Sequence, residues 1–93
     1  LSLSNYVGEY KNELYGKIIV EQKQNFLIIN FKGHDNLTAT VKYLDNNDWI
    51  IEYNNILYGI FPLQFDIDQN KVKGVTIKMN SFIELDDYKF TKQ

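Results

Sequence analysis

The feature that most constrains this chain is how short its apolar runs are. β-Branched and aromatic residues recur in brief groups, each closed by a cluster of Asn, Asp or Gly, which is the pattern of strands and tight turns rather than of helices. The pattern predicts strands over residues 6–10, 17–22, 26–32, 38–44, 49–53, 60–67, 73–79 and 82–91. Between them stand breakers such as Gly33-His34-Asp35-Asn36, Asp45-Asn46-Asn47-Asp48 and Asp68-Gln69-Asn70-Lys71. Such short connections leave no room for the crossovers that parallel strands need, so an antiparallel meander follows. The fold class expected is all-β: an antiparallel, up-and-down, eight-stranded barrel, which removes exposed edges by closing on itself. A two-sheet sandwich competes with it on the same pattern. A short helical turn over residues 1–5 is expected to place Leu1, Leu3 and Tyr6 over an open end.

Alternation assigns the faces. Trp49, Ile51 and Tyr53 share one side opposite Glu52, while Phe61, Leu63, Phe65 and Ile67 share one side opposite Gln64 and Asp66. Ile18 and Val20 point inward, with Lys17, Ile19 and Glu21 outward. The expected core is Ile18, Val20, Leu27, Ile29, Phe31, Trp49, Ile51, Phe65 and Ile77. Pro62 falls inside a predicted strand, where its missing donor suits an edge or a bulge near the strand's start. Gly8 and Gly16 suit barrel kinks.

A chain of 93 residues supplies one core, so residues 1–93 are expected to form a single β-barrel domain. Its first residue is Leu1 rather than Met, and the expectation is an excised C-terminal piece of a larger protein. The net charge is −2 and every basic residue is a Lys, a composition that argues against nucleic acid as a partner. Cysteine is absent, which removes disulfides, thiolate metal sites and thiol nucleophiles together. No apolar run approaches the roughly 18 residues of a membrane helix, so no membrane insertion is expected.

The search for chemistry returns turns and solvated faces. His34 is the lone histidine, and Ser2, Ser4 and Ser81 lie in no strand-turn-helix elbow that would make one of them a nucleophile. Glu52, Glu84 and Asp86 are acid–base candidates, but alternation puts Glu52 on the polar face. Asp66-Ile67-Asp68-Gln69-Asn70 begins like a calcium loop, yet Lys71 and Ile77 stand where such a loop needs Gly and Glu. The expectation is no catalytic residue, no metal site and no cofactor.

Tyr6-Val7-Gly8-Glu9-Tyr10, the Gly-led strand from Gly16, Phe26-Leu27-Ile28-Ile29-Asn30-Phe31, Asp48-Trp49, the hairpin from Phe65 to Val75 and the closing Phe90 together resemble one family. It is the small domain of unknown function found C-terminal to serine β-lactamase-like hydrolases of the class C, penicillin-binding-protein-like kind. The resemblance spans nearly the whole chain and departs at Asn70, where the family often has Gly, leaving the turn type open. It implies a lipocalin-like barrel, non-catalytic itself, beside a bacterial serine hydrolase domain of the same chain. The parent would be a β-lactamase or D-aminopeptidase-like enzyme of the periplasm or secreted space. A free-standing lipocalin or fatty-acid-binding-like carrier of a small apolar ligand is the alternative.

The residues expected to meet a partner are those that alternation leaves unexplained. Ile19 and Ile28 are apolar on the outer wall, as is Ile83, and Ile56-Leu57-Tyr58 puts apolar groups in a turn. The partner expected is the neighbouring hydrolase domain or a second copy of the barrel. Bulges that turn Ile19 or Ile28 inward are the plain alternative.

Overall fold

The computed structural model describes residues 2–33, 37–45, 48–54, 59–81 and 84–93, with the backbone alone for 78–81 and 84–87. It is a closed, antiparallel barrel in the order β1-β2-β3-β4-β5-β6-β7-β8. The strands are β1 (Gly8–Asn12), β2 (Gly16–Lys23), β3 (Phe26–Phe31), β4 (Thr38–Asp45), β5 (Asp48–Tyr53), β6 (Ile60–Asp68), β7 (Lys71–Ser81) and β8 (Glu84–Lys92). Before β1 stands a 3-10 turn, η1 (Leu3–Tyr6).

All nine residues of the expected core are buried. The rings divide between the two ends of the barrel. At the end closed by η1, Tyr6 packs on Trp49 and Phe65 with ring centroids 4.9 and 4.7 Å apart. At the other end Tyr15 contacts Phe31, Tyr88 and Phe90 at 6.0, 5.4 and 6.0 Å. Aliphatic side chains such as Ile18, Leu27, Ile29 and Val41 are fully buried between them. Burial of the period-2 face is therefore what drives closure.

Several boundaries differ from the sequence reading. The first strand begins at Gly8, because Tyr6 ends η1 and is held there by a hydrogen bond from the Tyr10 hydroxyl to its carbonyl at 2.6 Å. Asn12, beyond the predicted end of the first strand, is the last residue of β1, and its side-chain oxygen accepts from the amides of Leu14 and Tyr15. Strand β7 begins at Lys71, because the turn before it is only Gln69-Asn70 with φ of 51° and 63°. Two left-handed central residues make the primed hairpin turn whose twist matches the flanking strands. Asn70 thus takes the place of Gly there without changing the connection. Pro62 is neither at a sheet edge nor in a bulge. It pairs with Ile50 of β5 just before the β6–β7 register starts at Leu63, so its missing N–H costs no bond to β7. Gly8 and Gly16 open β1 and β2, with φ of 151° and 108°. The helical turn falls at residues 3–6, and the part of its expectation that concerns Leu1 lies outside the described residues.

Closure rests on a short seam. The β1–β8 register holds Tyr10↔Lys92 and Lys11↔Thr91, whereas β7 and β8 pair from Gly74↔Thr91 to Ser81↔Glu84. Two bonds extend the seam: Gln93 N–H to the Glu9 carbonyl at 2.8 Å, and the Asn12 side-chain amide to the Lys89 carbonyl at 2.8 Å. On the other side of β8, Gly74 permits a close approach. A Cβ there would lie 2.4 Å from the backbone oxygen of Phe90.

Three outcomes follow for stability. Gly74→Ala should cost about 3 kcal/mol or more, because backbone and not a side-chain tip must yield, measured by urea denaturation. Asn12→Ala should cost about 1–3 kcal/mol, since one side chain both closes the β1–β2 turn and clips β8. Burial holds the Tyr10 phenol above the ordinary 10.0, Tyr6 adding to the shift, and Tyr6 is raised by burial first and by Tyr43 second. The fold then keeps protons that the unfolded chain has released. The stability these phenols contribute is complete below about pH 10 and falls as pH rises above it. Denaturation midpoints taken between about pH 8 and 11 should show the alkaline fall, and Tyr10→Phe should reduce it.

Candidate interaction surface on the barrel wall

The outer wall is built by the residues that alternate with the core. The β2–β3 register runs unbroken from Ile18↔Phe31 to Lys23↔Phe26, so no bulge turns Ile19 or Ile28 inward. Both face outward and are half-buried. Ile28 lies in a row running Glu21–Ile28–Thr40–Glu52–Ile60 across β2 to β6. The neighbouring row carries Lys42–Ile50–Pro62, with Phe26 two residues before Ile28. Ile19 sits in the row on the other side, between Glu9 and Asn30, and is a diagonal neighbour of Ile28.

The wall therefore carries two apolar groups, Ile19, Phe26 and Ile28 on β2 and β3, and Ile50, Ile60 and Pro62 on β5 and β6, with Thr40 and Lys42 of β4 between them. Phe26, Ile50, Ile60 and Pro62 did not stand out as contact residues in the sequence. Ile60 is 60% exposed, a high value for an isoleucine on a folded wall. The signal that could have found Ile50 and Ile60 is the alternation that places Ile51, Phe61 and Leu63 inside. Ile56, Leu57 and Tyr58 lie outside the described residues, as do His34 and Ile83.

A hollow of about 770 Å³ opens on this wall between the β2–β3 and β4–β5 hairpins, lined by Asn25, Phe26, Thr40, Lys42, Tyr43 and Glu52. Tyr43 is half-exposed, with one side against Trp49 at 5.1 Å between centroids. Lys42 and Glu52 sit diagonally across β4 and β5 without an ion pair, whereas Lys17 and Glu9 pair at 3.0 Å lower on the seam side. The surface can thus offer an apolar strip, two aromatic rings and an unpaired charge of each sign to a partner.

Glu52 faces solvent on the wall, and among the described residues no three His, Cys, Asp or Glu side chains gather as a metal site. The Asp66–Asn70 segment is strand and primed turn rather than a calcium loop. Among the described residues no helix is long and apolar enough to cross a membrane. One buried polar atom, the Trp49 indole N–H, has no hydrogen-bond partner, and it lies among the tilted rings of Tyr6, Tyr43 and Phe65.

No curated protein and no solved structure matches the chain. The family described as a domain of unknown function, DUF3471, matches residues 1–92, and the chain belongs to that family.

Proposed function

We propose that this barrel is a non-catalytic accessory module that docks a serine β-lactamase or D-aminopeptidase-like hydrolase domain of the same chain against its β3–β6 wall. The observation that carries the reading is the interrupted strip of Phe26 and Ile28 on one side of Thr40 and Lys42 and Ile50 and Ile60 on the other, apolar groups on a face that alternation reserves for solvent. Docking would remove that area from water at about 25 cal/mol per Å² of apolar surface. The hollow beside it supplies the aromatic rim and the charges, Lys42 and Glu52, that would fix orientation. The hydrolase as partner, and with it a bacterial periplasmic or secreted setting, follows from the resemblance of Tyr6–Tyr10, Phe26–Phe31 and the Phe65–Val75 hairpin.

The carrier reading has less behind it. Tyr6, Tyr10, Trp49, Phe65 and Phe90 occupy inward positions and are buried against one another or the aliphatic layer, where a lipid chain would have to lie. Pockets that take drug-sized ligands run to about 300 Å³ or more, and this interior spends its volume on rings.

The test charges the wall in the full-length parent. Ile28→Lys and Ile60→Lys, made separately, should weaken docking by about tenfold or more or change hydrolase specificity, because each would place a long charged side chain, opposite Glu21 or Glu52, where the partner has to seat. The isolated barrel should keep its denaturation midpoint within about 0.5 kcal/mol, since both side chains point away from the core. Sedimentation of the isolated barrel separates the two partners: a dimer lost in Ile28→Lys assigns the strip to a second copy. Unchanged activity, stability and assembly in both variants would refute the reading.

A further inference from the structure

A second concavity lies at the η1 end of the barrel, away from the apolar strip. It is a hollow of about 320 Å³ bounded by Asn5, Asn70, Lys71, Lys73, Lys92 and Gln93. Its lining includes Lys71, Lys73 and Lys92 and no Asp or Glu side chain. Asp68 stands opposite Lys71 in the β6–β7 register, yet the two form no ion pair. In a chain of net charge −2 with more acidic than basic residues, three lysines around one hollow, none of them in an ion pair with a described residue, are not what average surface mixing produces.

Two features of the backbone aim these cations. The β6–β7 register pairs Asp66 with Gly74 and Ile67 with Val72, so Lys73 is the extra residue of a β-bulge. Bulges redirect the side chain at the position they insert, and this one keeps Val72 and Val75 both buried while Lys73 stays exposed beside Lys71. Lys92 occupies an inward position at the barrel rim, opposite Tyr10. Its stem crosses Gly8, where a Cβ would come within 3.0 Å of its Cε, and its ammonium donates to the Asn5 carbonyl at 2.9 Å. The cation is therefore held in place, half-buried, by a glycine and a 3-10 turn. The amides of Asn5 and Gln93 already donate to Ser2 and to the Thr91 carbonyl, so recognition falls to the lysines.

We infer that this hollow is a binding site for a phosphate-type dianion, held by Lys71, Lys73 and Lys92. Three ammonium groups match the charge and the several acceptor oxygens of a phosphate or phosphomonoester, and charge-assisted bonds are the strong ones. The volume admits a headgroup-sized anion. The site is separate from the proposed docking strip and does not depend on it.

The experiment titrates the isotope-labelled barrel with inorganic phosphate at constant ionic strength, chloride serving as the matched control. Amides of Lys71, Lys73, Gly74 and Lys92 should shift saturably with phosphate and not with chloride. Lys73→Gln and Lys92→Gln should each weaken binding by about tenfold, the loss of one charge-assisted contact. Lys32→Gln, at the opposite rim, should leave it unchanged. Because Lys92 also braces η1, Lys73→Gln is the decisive variant. Phosphatidylcholine vesicles with and without phosphatidic acid distinguish a lipid headgroup from a dissolved phosphate. Binding in either arm that Lys73→Gln weakens supports the site. Shifts that fail to saturate, that chloride reproduces, or that survive Lys73→Gln would overturn it.

Discussion

Everything in this molecule depends on the last strand finding the first. A meander of antiparallel strands gains each hairpin locally, but the β1–β8 seam joins the two ends of the chain through Tyr10↔Lys92 and Lys11↔Thr91. Such a contact carries the largest loop-closure cost in the chain, and its reward is the removal of both free edges at once. The side chains around the seam show how that cost is met. Tyr10 is wholly buried and tied to the Tyr6 carbonyl, Asn12 reaches across to the Lys89 carbonyl, and Phe90 fills the interior under the β7 backbone. Gly74 lets β7 approach Phe90 closely enough for that packing.

A filled interior redirects the question of function to the outside. With rings toward both ends and aliphatic residues between, the described interior is apolar packing, and the polar chemistry described lies on the wall and rims. The wall offers an apolar strip with mixed charge, suited to a protein surface. The η1 rim offers concentrated positive charge on a bulge, suited to a small anion. These are different chemistries at different places, and neither needs the interior.

The strands and their faces were legible because period-2 alternation is a local property. Trp49-Ile50-Ile51-Glu52-Tyr53 states its own orientation, and so does Ile60 to Ile67. The outward setting of Ile19 and Ile28 was legible for the same reason. What made Ile50, Ile60 and Pro62 neighbours and set them across Thr40 and Lys42 from Ile28 was not, because neighbours across a sheet are set by register, and register depends on the exact length of every turn between them. The breaker clusters Asp45–Asp48 and Asp68–Lys71 read as loops, yet their outer residues pair across the strands. Polar residues at a rim satisfy both descriptions, and composition cannot choose. The bulge at Lys73 left no mark at all, since Lys-Val-Lys alternates as well with a bulge as without one. The closing bonds of Asn12 and Lys92 reach residues at the far end of the chain, beyond any local pattern.

An even number of strands returns the chain to the rim where it started, so Gly8 and Lys92 sit at the same end of adjacent antiparallel strands. Tension applied through the two termini would not shear this seam with all its bonds sharing the load. It would peel β1 from β8 from the rim inward, the Lys92–Asn5 bond and the Gln93–Glu9 bond yielding before the paired residues behind them. A barrel held together by its buried core is, along this one direction, a zipper with its tab exposed.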